Sequence, residues 1–259
     1  MNNIVAYTFY NWLIETGDLG KGKGLWSAWH FIFMSLLAVW LIVCWFVFKK
    51  HKKFALKVTK ITCIIMLSFR IARMLLLMIS GKETVVQALP WHLCHIMAIV
   101  FPIMFLTNTK KFFLPILCVT LFGGILTFIF GNYYTYSVFS FLQLESLFLH
   151  FCMPTVVIGV VASGWFKPRF EDLWQVPIFL VMLMSYAEIG NTLVPGSNYL
   201  YLRQNGLPFT LFNIHFYFTY LILVLTISIL FISFMALPSI IKNRKNKKFR
   251  RSVRENLEL

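Results

Sequence analysis

Two histidines and a cysteine lie within four residues in the segment LPWHLCHI, residues 89–96, just before a long apolar run. A cysteine thiolate paired with a histidine base is a recurring acyl-transfer arrangement, so Cys94 is a candidate nucleophile. His92 is about 200° from Cys94 around a helix, which favours a base from another helix. Taken alone, the residues leave four candidate bases for this thiol: His92, His95, His150 and His215.

A metal site is the competing chemistry for the same histidines. His92 and His95 are three residues apart and share a helix face, so they could hold zinc together with Glu145 or His215. The spacing typical of zinc metalloproteases, His-Glu-x-x-His, does not occur, and neither does a Walker or dinucleotide-binding glycine motif. We therefore predict no bound metal and no cofactor.

The composition is typical of a polytopic helical membrane protein. Hydrophobic residues make up 59% of the chain and charged residues 13%, whereas soluble domains average about 45–50% and about 25%. The apolar residues form long runs, so we predict an all-α fold in one membrane domain, residues 1–259. Residues 1–27 form an extracytoplasmic or interfacial segment, and residues 242–259 form a basic cytoplasmic tail. Four cysteines inside the runs are predicted to be small buried hydrophobes: Cys44, Cys63, Cys118 and Cys152.

Seven apolar runs are long enough to cross a hydrocarbon core of about 30 Å. The predicted spans are 28–48, 55–79, 90–107, 112–130, 141–163, 174–194 and 210–238. Eighteen Lys and Arg residues lie on one side of this topology and four on the other. Basic residues favour the cytoplasmic side, so we predict a multi-pass protein of the cell membrane with its N-terminus outside and its C-terminus inside.

This topology also explains the net charge of +15. Lysines beside the cytoplasmic leaflet are attracted to anionic lipid by about 1 kcal/mol each. No aromatic residues are interleaved with the basic tail in a nucleic-acid-binding pattern. We predict anionic lipid as a partner at the cytoplasmic face and no nucleic-acid partner.

The polar residues inside the spans all fall in the outer half of the bilayer under this topology. Charged side chains within a span normally face the bundle interior or a wet cavity, so these residues are predicted to converge. Five helices contribute to the layer: Arg70, Arg73, His92, Cys94, His95, Glu145, His150, Glu188, Asn191, Asn213 and His215.

Polar stripes on single helices support a cavity open to the outer leaflet. Gln143, Ser146 and His150 follow i, i+3, i+7 spacing, and Ser185, Glu188 and Thr192 repeat it. In such a cavity the two arginines would hold a phosphate or neutralise an oxyanion, and Glu145 or Glu188 would orient a histidine or balance the arginines. Three alternatives remain open: a purely structural ion-pair network, a transporter or receptor that binds a small anion, and a zinc-dependent membrane hydrolase.

Several segments together resemble the bacterial YwaF-type membrane proteins. LPWHLCHI is similar to their Pro-x-His-Leu-Cys segment, LFGGILTFIFGN to their fourth helix and FLQLESLFLHF to their fifth. NTLVPGSNYLYLRQNGLP resembles their Asn-Tyr-x-Tyr-Leu stretch, which places Asn198 and Tyr199 among the supporting residues. That family is related to a eukaryotic TMEM acyltransferase that remodels phospholipids through a cysteine and a histidine. It is more distantly similar to the androgen-induced membrane hydrolases, which use threonine and histidine.

The resemblance implies a role for each residue of the catalytic pair. Cys94 would be the nucleophile and His150 its base. The substrate would be a membrane phospholipid, and a lysolipid would accept the acyl group; water as the acceptor would make the same site a hydrolase. Trp91 is a departure, because the family often has a smaller residue at this position.

Overall fold

A computed structural model describes residues 28–130 and 141–203, together with the single positions Thr226, Ile229, Leu230 and Ser233. All regular structure in this part of the chain is helical. The helices are α1 (Ala28–Lys50), α2 (Lys52–Ile79), α3 (Val85–Ala88), α4 (Leu93–Leu106), α5 (Phe113–Phe130), α6 (Phe141–Ala162) and α7 (Gln175–Leu193). Single 3-10 turns lie at Phe170–Asp172 and Tyr199–Tyr201.

The all-α class is confirmed for the described residues. Four helical segments are long and apolar enough to cross a membrane: His30–Lys50, Lys52–Ile79, Leu144–Ala162 and Phe170–Leu193. Helices α4 and α5 are equally apolar in character but shorter, and they coincide with the third and fourth predicted spans. The seventh predicted span, 210–238, lies outside the continuous described ranges, as do residues 1–27 and the tail 242–259.

The outer faces of α1 and α2 carry large apolar side chains. Exposed residues on α1 include Phe31, Leu36, Val39, Ile42 and Phe46. In water such a surface would be an aggregation hazard, but against lipid tails it costs nothing. These two helices therefore present a lipid-facing surface, which agrees with a membrane protein.

Helix α5 packs against both α4 and α6, and two adjacent glycines make the approach close. A Cβ atom added to Gly123 would lie 2.8 Å from Leu93 Cδ2 on α4. One added to Gly124 would lie 2.6 Å from Pro154 Cδ on α6. Small residues let membrane helices pack backbone to backbone, so the Gly123-Gly124 pair holds α4 and α6 on two sides of α5.

We expect Gly124→Ala to lower the midpoint of thermal unfolding in detergent. The added methyl would overlap the Pro154 ring, and such overpacking usually costs about 1–3 kcal/mol. Ser185→Ala, at an exposed position on α7, is the matched control and should leave the midpoint nearly unchanged. Equal midpoints for the two variants would contradict this account of the α5–α6 packing.

The segment before α4 is shaped by a capping box and by a buried tryptophan. Thr84 Oγ1 accepts a hydrogen bond from Gln87 N at 3.3 Å, while Gln87 Oε1 accepts one from Thr84 N at 2.8 Å. Trp91 is buried, and its indole donates to Val86 O at 2.7 Å. These bonds hold the chain in a compact turn between α2 and α4, and the turn sets where α4 begins.

Candidate active site

Cys94 is the second residue of α4 and lies in its first turn. Its Sγ is 3.7 Å from Thr127 Oγ1 and 4.0 Å from Gly123 O, both on α5. The Thr127 hydroxyl donates its proton to Gly123 O at 2.6 Å, so its oxygen is placed to accept from the thiol. A thiolate formed here would interact favourably with the positive end of the α4 dipole.

Exposure separates Cys94 from the other cysteines. Cys94 is partly exposed, whereas the other four are buried in the apolar cores between the helices. The prediction that those four are small buried hydrophobes is confirmed. Cys94 is therefore the least enclosed of the five cysteines.

The His150 imidazole on α6 lies close to the Cys94 thiol. The two groups are near enough to interact electrostatically. His150 Nδ1 is 2.6 Å from the carbonyl oxygen of Ser146, and a carbonyl can only accept, so Nδ1 carries the proton. This bond assigns the tautomer in which the Nε2 lone pair is the one that can take a proton from sulfur.

The local sequence of α6 explains why His150 can be held in this way. Ser146 is one helical turn before His150, so its carbonyl lies directly beneath the ring. Pro154, one turn after His150, has no N–H to donate to the His150 carbonyl, which loosens the helix at this point. Gly124 packs into the same place, where an added Cβ would lie 3.3 Å from His150 O.

An arginine pair on α2 lies beside the thiol and the imidazole. Arg73 Nη1 donates to Glu145 Oε2 on α6 at 3.1 Å, and the Glu145 side chain is 1% exposed. Arg70, one turn earlier, is 3% exposed, and its Nε and Nη1 make no hydrogen bond. Arg70 is close enough to interact electrostatically with Cys94 and Glu145. The site therefore contains a buried guanidinium with unused donors next to the candidate nucleophile.

His92 and His95 flank Cys94 in the chain. Their ring centroids are 5.6 Å apart in an edge-on arrangement, and both lie in the electrostatic field of Arg70 and Arg73. Within 28–130 and 141–203, no group of three His, Cys, Asp or Glu side chains is placed to hold a metal ion.

A model of the TMEM164 family matches residues 25–237. The chain belongs to the TMEM164 family. The match covers α1 to α7 and therefore both Cys94 and His150. Comparison with curated proteins and with solved structures found no match. Family membership and the apolar helices together identify a membrane protein.

Two residues of this TMEM164-family site were not predicted from the sequence. Thr127 contacts the Cys94 sulfur, and the available signal was a hydroxyl side chain inside the fourth apolar run. Glu83, in the turn after α2, interacts electrostatically with Arg70 and Arg73. Burial raises the pKa of the Glu83 carboxyl above its ordinary value, and the two arginines oppose that shift.

The end of α7 brings a further set of predicted residues to His92. Buried Asn191 accepts from Tyr199 N at 2.6 Å and donates to Tyr199 O at 3.2 Å. The Tyr199 ring then lies 5.0 Å from the His92 ring and 6.1 Å from Trp91. Asn191 and Tyr199 therefore form a structural clamp at the edge of the TMEM164-family site.

Trp91 completes this clamp from the other side. A Cβ added to Gly190 on α7 would lie 2.5 Å from the indole, so only glycine leaves room for the ring there. Asn198 accepts from Arg203 N at 3.0 Å, which closes the turn that follows. In this TMEM164-family chain Trp91, which is larger than the residue often found at that position, thus packs against Gly190.

Glu188 is not part of the arginine cluster. It pairs with Arg203 at 2.8 Å, so of the two glutamates predicted to balance the arginines it is Glu145 that pairs with Arg73, and Glu83 also lies beside them. Glu188 shares a face with Ser185 and Thr192, as predicted, and these residues line a groove of about 640 Å³ along α7. The side chain of Gln143 and the residues Asn213 and His215 lie outside the described part of the TMEM164-family chain.

Proposed function

We propose that this TMEM164-family protein is an integral membrane acyltransferase that transfers lipid acyl groups through a thioester on Cys94. The observation that carries the proposal is the proximity of the Cys94 thiol, on the least enclosed of the five cysteines, to an imidazole whose Nδ1 is tied to Ser146 O. Nucleophile, base and a group orienting the base are the parts that covalent acyl transfer requires.

The proposal includes the topology predicted from the sequence. The chain crosses the cell membrane seven times, with its N-terminus outside, so the pair lies in the outer half of the bilayer. A phospholipid enters sideways from the outer leaflet, where its ester can reach sulfur without leaving the membrane. Lipid tails and the apolar helices exclude bulk water, which favours a lysolipid over water as the acceptor.

The reaction then proceeds in two balanced steps. His150 Nε2 takes the thiol proton, the sulfur attacks the ester carbonyl, and the carbon–oxygen bond breaks. The released lysolipid oxygen takes the proton from His150, and a thioester remains on Cys94. In the second step an acceptor hydroxyl gives its proton to His150 and attacks the thioester, which breaks the carbon–sulfur bond; His150 then returns the proton to the Cys94 thiolate.

The arginines supply positive charge where negative charge develops or is carried. Arg70 has two unused donors, Nε and Nη1, whereas Arg73 is held by Glu145 and has only its Nε unused, so Arg70 is the better placed to bind an anion. It would contact either the lipid phosphate or the tetrahedral oxyanion. Asn191, Asn198 and Tyr199 act by positioning the segment beside His92.

The experiment that tests the proposal seeks the thioester itself. The purified full chain, given a phospholipid with a clickable acyl chain, should acquire a hydroxylamine-sensitive label that Cys94→Ala removes. Cys118→Ala, which removes a buried core thiol, should keep the label. A Cys94→Ala protein that labels and transfers acyl groups like the parent would overturn the proposal.

The unpaired Arg70 also favours a second candidate, a transporter or receptor for a small anion. A buried guanidinium with free donors suits such a ligand as well as it suits a reaction intermediate. The two functions separate cleanly in experiment. Anion binding that survives Cys94→Ala but fails in Arg70→Met would favour the transporter or receptor.

A further inference from the structure

The end of the bundle away from Cys94 contains a cavity that the proposed acyl transfer does not use. Two chain turns form it, residues 107–112 between α4 and α5 and residues 163–174 between α6 and α7. Trp165 ties the turns together, because its ring lies 4.9 Å from Phe105 and 5.0 Å from Phe113. The cavity has a volume of about 680 Å³, which is within the usual range for small-molecule sites.

The walls of this cavity are strongly cationic. Four basic side chains line it: Lys110, Lys111, Lys167 and Arg169. The acidic residue in the lining is Asp172, and Arg169 holds it at 2.9 Å while Gln175 donates to it at 3.4 Å. The three lysines therefore face the cavity without a carboxylate of their own in its lining.

The cavity also has an aromatic and apolar wall. Phe112, Trp165, Phe166 and Trp174 line it, and the rings of Phe112 and Trp174 meet edge to face at 6.0 Å. Lys110 Nζ lies 4.9 Å from the centre of the Trp165 ring, a cation–π contact that holds the ammonium at the wall. The basic-loop bias of membrane proteins requires lysines on this side, but it does not require them to line one cavity with two tryptophans.

We propose that this cavity binds the headgroup of an anionic phospholipid, with the phosphate between the lysines and the glycerol against the tryptophans. Basic pockets between membrane helices suit lipid phosphates, and interfacial tryptophan suits the region just below them. The tail of the chain, residues 242–259, does not suit the cavity, because it carries eight basic residues against Glu255 and Glu258. The site is independent of the proposed acyl transfer at Cys94.

Native mass spectrometry of the purified full chain in neutral detergent tests the proposal. The parent should retain phosphatidylglycerol in preference to phosphatidylcholine, and the triple variant Lys110→Gln, Lys111→Gln, Lys167→Gln should bind it roughly 100-fold more weakly, about fivefold for each lysine. The matched control removes three exposed lysines from α2: Lys52→Gln, Lys53→Gln, Lys57→Gln. These lysines lie outside the cavity, and in neutral detergent they have no anionic leaflet beside them, so this variant should bind phosphatidylglycerol within about twofold of the parent.

Three results would overturn the proposal. These are equal losses in the two triple variants, equal retention of the two lipids, and soluble glycerol phosphate binding as tightly as phosphatidylglycerol, which would assign the site to a free phosphate. Lys111→Glu is a second variant that changes one exposed side chain. It should weaken phosphatidylglycerol binding more than Lys57→Glu does, at an unchanged unfolding midpoint.

Discussion

The His150→Gln variant is expected to form the acyl group on Cys94 about 10²- to 10⁴-fold more slowly than the parent protein, the usual cost of removing a general base. Glutamine keeps a side-chain donor near the Ser146 carbonyl but has no nitrogen that accepts a proton. The helix therefore keeps its packing while sulfur loses its base. The initial rate of hydroxylamine-sensitive labelling, measured at one concentration of clickable phospholipid, reports the effect directly.

His30→Gln is the matched control, because His30 is also a buried histidine whose ring contacts a backbone carbonyl, Phe128 O at 2.7 Å. It should change labelling by less than about threefold, a small change beside the effect of removing a base. Added imidazole should restore part of the rate to His150→Ala and none to Cys94→Ala. A His150→Gln protein that labels at the parental rate would show that the base is another residue, and His95→Gln and His92→Gln would then be compared.

The positions of the helices could be predicted well from the sequence because lipid imposes a simple rule. Each apolar run must make its backbone hydrogen bonds within the segment and must be long enough to cross the hydrocarbon core. The ends of the apolar runs and the ends of the helices therefore nearly coincide. The third run shows the limit. It was predicted from residue 90, but the helix begins at Leu93, because Pro90 and the Trp91–Val86 hydrogen bond extend the preceding turn. That shift places Cys94 in the first helical turn.

The site could be predicted in part from the sequence. The two errors, at Glu188 and Glu83, concern how the side chains are oriented and surrounded. Depth along a helix follows from residue number, so the convergence of Arg70, Cys94 and His150 was predictable. The direction in which a side chain points around its helix axis was not predictable, because it depends on which neighbouring helix each face packs against. Glu188 has the right depth but faces away from the arginines and pairs with Arg203. Glu83 was missed because it lies in a turn, where a charged residue is expected to be solvated.

Arg70 and Arg73 provide the sharpest stability test, since the same substitution at these two positions should have opposite effects. Arg70→Met removes buried N–H groups that make no hydrogen bond, which cost about 1–3 kcal/mol, while Glu145 keeps its bond from Arg73, so the variant is expected to be more stable. Arg73→Met instead removes the partner of buried Glu145, and breaking such a pair usually costs about 3–5 kcal/mol. Thermal unfolding midpoints of the two variants in one detergent measure the signs.

The labelling rate of Arg70→Met should not change in the same direction as its stability. Arg70→Met is expected to slow labelling of Cys94 by about 10²- to 10³-fold, the usual loss when a donor to a developing anion is removed, although the protein becomes more stable. That combination identifies a residue kept for a ligand at the expense of the fold, because a purely structural arginine would lose stability on replacement. A less stable Arg70→Met protein with parental labelling would make the α2 arginines a structural network and leave Cys94 and His150 to act without them.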